Sequence, residues 1–283
     1  MTAKSTPADL HVQPRNIHFN VSEARNQYWL GGDPVGTAVF NALSLTFPDG
    51  ERLFIDAVKH YRPQLKGKLL EDVQGFIAQE GIHSREHHVL NQLIDRNRYP
   101  VEEIEAKVRE RIAMTRERGP MAMLLSTIAL EHFTAMMAEM HMAHPDLFKG
   151  TSPNIERLWR WHAMEETEHK AVAFDVFMEV TKHWSPFLRY RRRAISMMIV
   201  TSNFTRNITR HAARLLEADG YPPKDAQWAV KKFLWRKPGL FRRGWRTYFA
   251  WYRPGFHPWD RENRAELASW KAEFDAAARA KAA

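Results

Sequence analysis

The sequence predicts an all-α protein, a four-helix bundle with further helices on its C-terminal side. Strand signals are poor: apolar and polar residues rarely alternate, hairpin-type Asn-Gly or Asp-Gly turns are few, and long stretches are rich in Ala, Leu, Met, Glu, Lys and Arg. Glutamate and histidine recur on what read as the apolar faces of four separate helices: Glu51, Glu80 with His83, Glu131, and His162 with Glu166 and His169. Two of these helices carry Glu-x-x-His and two carry a lone Glu, the donor pattern of a carboxylate-bridged dinuclear metal centre in a four-helix bundle.

The elements follow in order. Residues 1–40, with Pro, Gly and single aromatics, read as an irregular wrap around a bundle at 41–218, and 219–283 as a basic, aromatic-rich helical extension of the same domain. Phe47-Pro48-Asp49-Gly50 is a turn-forming cluster, so the first bundle helix is expected to begin there, with Glu51 in its opening turn, and to reach about His60. A second helix spans about Glu71 to Arg96 and ends before Tyr99-Pro100, and the charged stretch Val101 to Arg118 reads as an exposed connecting helix. Gly119-Pro120 opens a third bundle helix that His144-Pro145 breaks, and Ser152-Pro153 opens a fourth running to about His183. More helices are expected from Pro186 to Leu216, Lys224 to Trp235 and Asp260 onward, with Tyr252 to Trp259 as a connector.

At about 100° per residue, His83 and His87 fall within about 60° of Glu80, in the sector of Val73, Phe76 and Ile94. His162, Glu166 and His169 likewise share a face with Ile155, Leu158, Ala173 and Val176, and Glu131 stands in the row of Leu124, Ile128, Ala135 and Ala138. Glu165 lies at the edge of its helix's sector and is admitted by angle; Glu86, His88 and Glu168 point elsewhere. A buried carboxylate without a partner takes up a proton or finds a cation, and Arg and Lys are nearly absent from these stripes. Any one such Glu or His alone is commonly hydrogen-bonded structure, and Glu51 alone could simply favour a helix N-terminus. Two Glu-x-x-His pairs with two aligned glutamates outweigh that reading.

Composition limits the alternatives. A chain of 283 residues accommodates one substantial core. It contains no cysteine, which excludes disulfides, iron–sulfur clusters, thiolate zinc sites and a cysteine nucleophile, and leaves oxygen and nitrogen as metal donors. The first twenty residues have no apolar signal-peptide core, and no segment reads as about 20 apolar residues, so a cytoplasmic protein is expected. The formal charge of +9 is uneven: Val180 to Leu216 and Lys231 to Arg253 contain no acid. In 231–253 basic residues interleave with rings such as Trp235, Trp245, Phe249 and Trp251. Three readings apply: rings packed on the bundle with charges outward, a peripheral contact with an anionic membrane, and, weakest, nucleic acid. A homodimer is allowed.

The segments FPDGERLF, FIAQEGIHSREHHVLNQ, ALEHFTA, WHAMEETEHKAVAFDV and PGFHPW resemble the bacterial family of predicted metal-dependent hydrolases over most of the chain. The donor arrangement is also similar to ferritin-like diiron proteins, especially arylamine N-oxygenases, whose fourth helix carries His-x-x-x-Glu-x-x-His, as do His162, Glu166 and His169. That resemblance implies a ligand set of Glu51, Glu80, His83, Glu131, His162, Glu166 and His169, with three imidazoles. His87 stands as an eighth candidate or as a group orienting a ligand. The function expected on this basis is O2 activation by two iron ions, with manganese, a mixed pair or zinc as alternatives, acting on an organic substrate with electrons from a separate donor. Hydrolysis by a water activated between two metals is the alternative, and metal storage or non-catalytic binding the third. His257 in PGFHPW is expected to lock the tail against the bundle.

Overall fold

Helix formation starts well before the Pro-Asp-Gly cluster. In the computed structural model, which describes residues 5–25, 28–236 and 239–282, α1 runs from Pro34 to Tyr61. Asp33 caps it, its carboxylate accepting from Val35 N at 2.9 Å, and Pro34 takes the first turn, where no N–H is needed. Pro48 therefore lies inside a helix and Glu51 mid-helix, which removes the helix-terminus explanation of that glutamate. An internal proline leaves the carbonyl four residues back without its donor. That carbonyl, Ser44 O, instead accepts from Asn91 Nδ2 of the next long helix at 2.9 Å, and Ser84 Oγ of that helix donates to Pro48 O at 3.1 Å. The neighbouring helix repairs the break, so the proline is accommodated without ending α1.

The other elements are α2 (Gly67–Asn91), α3 (Val101–Glu117), α4 (Pro120–Ala143), α5 (Pro153–His169), α6 (Val172–Val180), α7 (Pro186–Ala218), α8 (Pro223–Trp235), α9 (Leu240–Arg243), α10 (Trp245–Ala250) and α11 (Arg264–Ala282). The described residues contain no strand. α1 packs along α2, α4 along α5, and α1 also meets α4, which makes the four-helix core; α7 and α8 cover the α1 and α4 side. α4 is long and apolar enough to cross a membrane by length and composition, which corrects the sequence expectation. It packs against α1, α5 and α7 and carries buried Glu131 and His132.

The predicted fourth helix is two. It breaks at Lys170–Ala171, directly after His169. Lys170 is buried there, its Nζ donating to Arg261 O at 2.9 Å and Asn263 Oδ1 at 2.8 Å, and lying 3.8 Å from the Trp259 ring centre. Asp175, in the first turn of α6, accepts from Thr6 N and Oγ1 of the N-terminal wrap and from His257 Nε2 at 2.9 Å. Because His257 Nδ1 accepts from Trp259 N, its proton sits on Nε2, and the imidazole joins the tail to α6.

The wrap packs closely. A Cβ on Gly75 of α2 would meet Val12 O at 2.3 Å, so only glycine lets the strap approach there. Leu10 and Ile17 join Trp161, Met164, Leu267 and Phe274 in a small second core between the strap, α5 and α11. The basic, aromatic C-terminal segment divides: Phe241 and Trp251 are buried, while Trp235, Trp245 and Phe249 are exposed. Lys237 of that segment lies outside the described residues.

Asn91→Ala should destabilise the fold by about 1–3 kcal/mol by orphaning Ser44 O. In a Pro48→Ala background, where the helix regains its own donor, the same substitution should cost measurably less. Chemical denaturation of the four proteins in this cycle measures the difference; equal costs in both backgrounds would refute the repair.

Candidate metal centre

Seven side chains from four helices meet in the middle of the bundle: Glu51 of α1, Glu80 and His83 of α2, Glu131 of α4, and His162, Glu166 and His169 of α5. All seven are buried, at 4 % exposure or less. Three groupings could each hold an ion: Glu80, Glu131 and His169; Glu80, His83 and Glu166; and Glu51, His83 and His162. Within each, one donor atom per residue lies within 4.8 Å of the others. Glu80 and His83 each belong to two groupings, so the sites are contiguous.

The strongest indication of cations is what these acids lack. Both carboxylate oxygens of Glu51, Glu80 and Glu131, Oε2 of Glu166, Nδ1 of His83 and Nε2 of His169 are buried without a hydrogen-bond partner. Buried polar atoms are normally satisfied, and so many orphans converging on one point fit a pair of metal ions held by oxygen and nitrogen.

Each imidazole has its outer nitrogen held and its inner nitrogen turned to the cluster. His169 Nδ1 donates to Gln79 Oε1 at 2.9 Å, leaving Nε2 at 3.4 Å from Glu80 and 3.5 Å from both Glu131 and Glu166. His83 Nε2 meets Glu165 Oε2 at 3.0 Å, leaving Nδ1 at 3.7 Å from Glu80 and 3.6 Å from Glu166. His162 Nδ1 meets His87 Nε2 at 2.6 Å, leaving Nε2 at 2.9 Å from Glu166 and 4.0 Å from Glu51. The protons in this last chain are determined. Ser44 Oγ donates to Asn91 Oδ1 at 2.6 Å, so His87 Nδ1, 2.9 Å away, donates to Ser44, and His87 Nε2 accepts from His162. His87 and Glu165 therefore stand behind the cluster and orient its members, a role that tunes metal ligands generally.

Sequence reasoning missed the layer behind. Arg15, from the strap, is 1 % exposed and donates to Glu165 at 3.1 Å and to Glu168 at 3.0 Å. Glu168 also accepts from Gln79 Nε2 at 2.6 Å and from Lys271 of α11. Glu168 does point away from the cluster, but it is fully buried and anchors the amide that holds His169. Arg15 sits in an irregular segment with no periodicity to place it, and Gln79 is a neutral amide one position from Glu80. Only tertiary contact could reveal either.

The electrostatics follow from burial. Burial pushes Glu51 and Glu131 well above the usual carboxylate range, with neighbouring glutamates adding to the push, and lifts Glu80 against its contact with His83. Burial also opposes ionisation of Glu166, but His169, His162 and His83 hold it well below that range. Burial disfavours the charged forms of His83 and His169, yet adjacent carboxylates keep both raised. Burial and then neighbouring imidazolium charge bring His162 down to about 4, and His87 falls well below its ordinary value. Burial and mutual repulsion thus favour the protonated forms of Glu51 and Glu131, and adjacent carboxylates favour those of His83 and His169.

An apolar cavity of about 40 Å³, room for a few water molecules, reaches the cluster at His162 and Glu166. Its wall includes Phe40, Phe47, Met137, Phe148, Trp159 and Leu240, with Thr134 and His141 as further polar side chains.

Because a metal competes with protons for these donors, divalent-ion binding should release protons, and affinity should rise with pH. Calorimetry in two buffers of different ionisation enthalpy measures the release; a pH-independent affinity with none would contradict the geometry. Gln79→Leu should weaken metal binding about 10–100-fold while leaving all seven donors in place, measured by competition with a chelating indicator.

Residues 13–262 match the family described as predicted metal-dependent hydrolase. No curated protein and no solved structure matches the chain, so the likeness to ferritin-like diiron proteins rests on the donor pattern alone. The family corrects the expectation of an O2-activating diiron oxygenase in favour of the hydrolytic alternative. The physical reason is that carboxylate and imidazole donors serve Lewis-acid and redox ions alike, so donor type could not separate the two chemistries. The matched span runs from just before Arg15 to just after His257, and the chain belongs to the family of predicted metal-dependent hydrolases.

Proposed function

We propose that the chain is a hydrolase whose two-metal centre is held by Glu51, Glu80, His83, Glu131, His162, Glu166 and His169, and that its substrate presents an apolar arm beside the scissile bond. The convergence of partnerless buried carboxylate oxygens supports the metal pair. When bound, two divalent ions supply Lewis acidity and lower the pKa of water at the site. Four carboxylates balance the charge of two such ions, and with three imidazoles they suit iron, manganese or zinc.

The chain's own residues do the rest. Gln79, Glu165 and His87 keep the outer imidazole nitrogens occupied, so the inner lone pairs face the centre. The ring-lined cavity gives the apolar arm a dry berth and admits little water beyond what the reaction consumes. His141 stacks on Phe148 at 4.3 Å, and burial brings its pKa down to about 3. It is neutral at pH 7 and offers an uncharged hydrogen bond to orient the substrate.

The test combines metal analysis of the purified protein with a panel of p-nitrophenyl esters of increasing acyl length and a phosphodiester analogue. The expected result is about two metals per chain and ester hydrolysis that chelation abolishes and metal restores. Glu131→Ala and His169→Ala should lose metal and lower kcat/KM at least a hundredfold. Short acyl chains should be the best substrates, and Phe148→Ala, which widens the cavity, should act mainly by admitting longer ones. A fully metallated protein inert toward the whole panel would count against hydrolysis of such substrates, and a chain that takes up no metal would remove the centre itself.

A further inference from the structure

A second cavity, of about 240 Å³, lies between α1, α3, α4 and α7, and none of the seven cluster residues lines it. Its walls include Leu53, Ile112, Leu130, Val200, Phe204 and Ile208. Its shape follows from the helix directions. Glu103 pairs with Arg214 at 3.1 Å and Arg98 with Asp219 at 2.7 Å, so α3 and α7 run antiparallel. Val108 and His211 thus share one end, Arg118 and Ile199 the other, and at about 1.5 Å per residue the groove is roughly 15 Å long.

Its charge is one-sided. Arg111 and Arg118 line it and no acidic side chain does. Nearby arginines are committed elsewhere, Arg116 to Asp56 at 2.5 Å and Arg109 to Asp49 at 3.9 Å, whereas neither Arg111 nor Arg118 forms an ion pair among the described residues. His211, 5 % exposed, stands near the Arg111 end, and its Nδ1 has no hydrogen-bond partner. Burial brings its pKa down to about 4, so it is uncharged at neutral pH and needs a hydrogen bond rather than a counter-ion. At the other end Met114 and Ile199 are 40 % and 48 % exposed, leaving an apolar lip.

An elongated apolar groove with an uncommitted guanidinium and an unsatisfied imidazole near one end matches a chain with an anionic head. We propose that this groove binds a free medium-chain aliphatic carboxylate, with its head at Arg111 and His211 and its tail along Phe204 and Leu130 toward Ile199. Arg118 adds long-range attraction for the anion. The site is separate from the metal cluster, and its occupancy does not depend on what that cluster hydrolyses.

The experiment is titration calorimetry of the full chain, with its metal content unaltered, against monomeric decanoate, decan-1-ol, acetate and anionic phospholipid vesicles. Decanoate should bind saturably at one per chain and raise Tm, with acetate and decan-1-ol at least tenfold weaker. Arg111→Ala should weaken decanoate about tenfold or more, the loss of one charge-assisted hydrogen bond, and Thr115→Trp, which fills the groove from α3, should abolish binding. Both variants should keep the wild-type metal content, which separates this test from that of the metal centre. Absence of saturable decanoate binding, unchanged affinity in both variants, or binding to vesicles alone would each overturn the assignment.

Discussion

Four carboxylates removed from water at one point are the constraint on which the rest of this structure depends. Their mutual repulsion and lost hydration can be relieved only by protons or by cations. The protein treats its buried acids in two ways. Glu165 and Glu168, on the outer side of α5, receive Arg15 and Lys271 from the two ends of the chain. Among the described residues no lysine or arginine forms an ion pair with Glu51, Glu80 or Glu131, and their oxygens have no hydrogen-bond partner. A fold that neutralises one set of acids so thoroughly and leaves the adjacent set without basic partners can hold cations there.

The imidazoles translate that organisation into direction. Gln79, Glu165 and the Ser44–Asn91–His87 chain each fix one outer ring nitrogen. The last of these also depends on Pro48, since the proline frees the carbonyl that anchors Asn91. A residue that reads as a turn-former thus helps set the orientation of His162, four hydrogen bonds away.

Much of this was legible in the sequence because a helix repeats every 3.6 residues. Glu80, His83 and Glu131, and the His162, Glu166 and His169 run, declare their common faces by spacing alone, and the structure brings them together with Glu51. What could not be read has physical reasons. Pro48 and Gly50 carry strong local turn signals that packing against α2 overrides, so α1 begins at Pro34, well before the position they suggest. The break after His169 has no helix-breaking residue and depends on where Lys170 finds its partners. Arg15 and Lys271 come from segments distant in sequence, where periodicity says nothing about contact. Chemistry was the least legible level, since the same donors suit more than one reaction.

The strap that carries Arg15 has a consequence for assembly. Arg15 is bound at once to Glu168 on α5 and to Asp275 on α11, at 2.6 Å and 260 residues away in sequence, and Arg264 reaches back to Asp9. Closing so large a loop costs conformational entropy, though that cost grows only slowly with loop length. Arg15 alone meets both Glu165 and Glu168, so the strap brings these acids their positive charge, and α11 adds to it through Lys271 and holds Arg15 through Asp275. The imidazole of His169, held through Gln79 and Glu168, is in this sense tied to contacts distant in the chain as well as to its own helix.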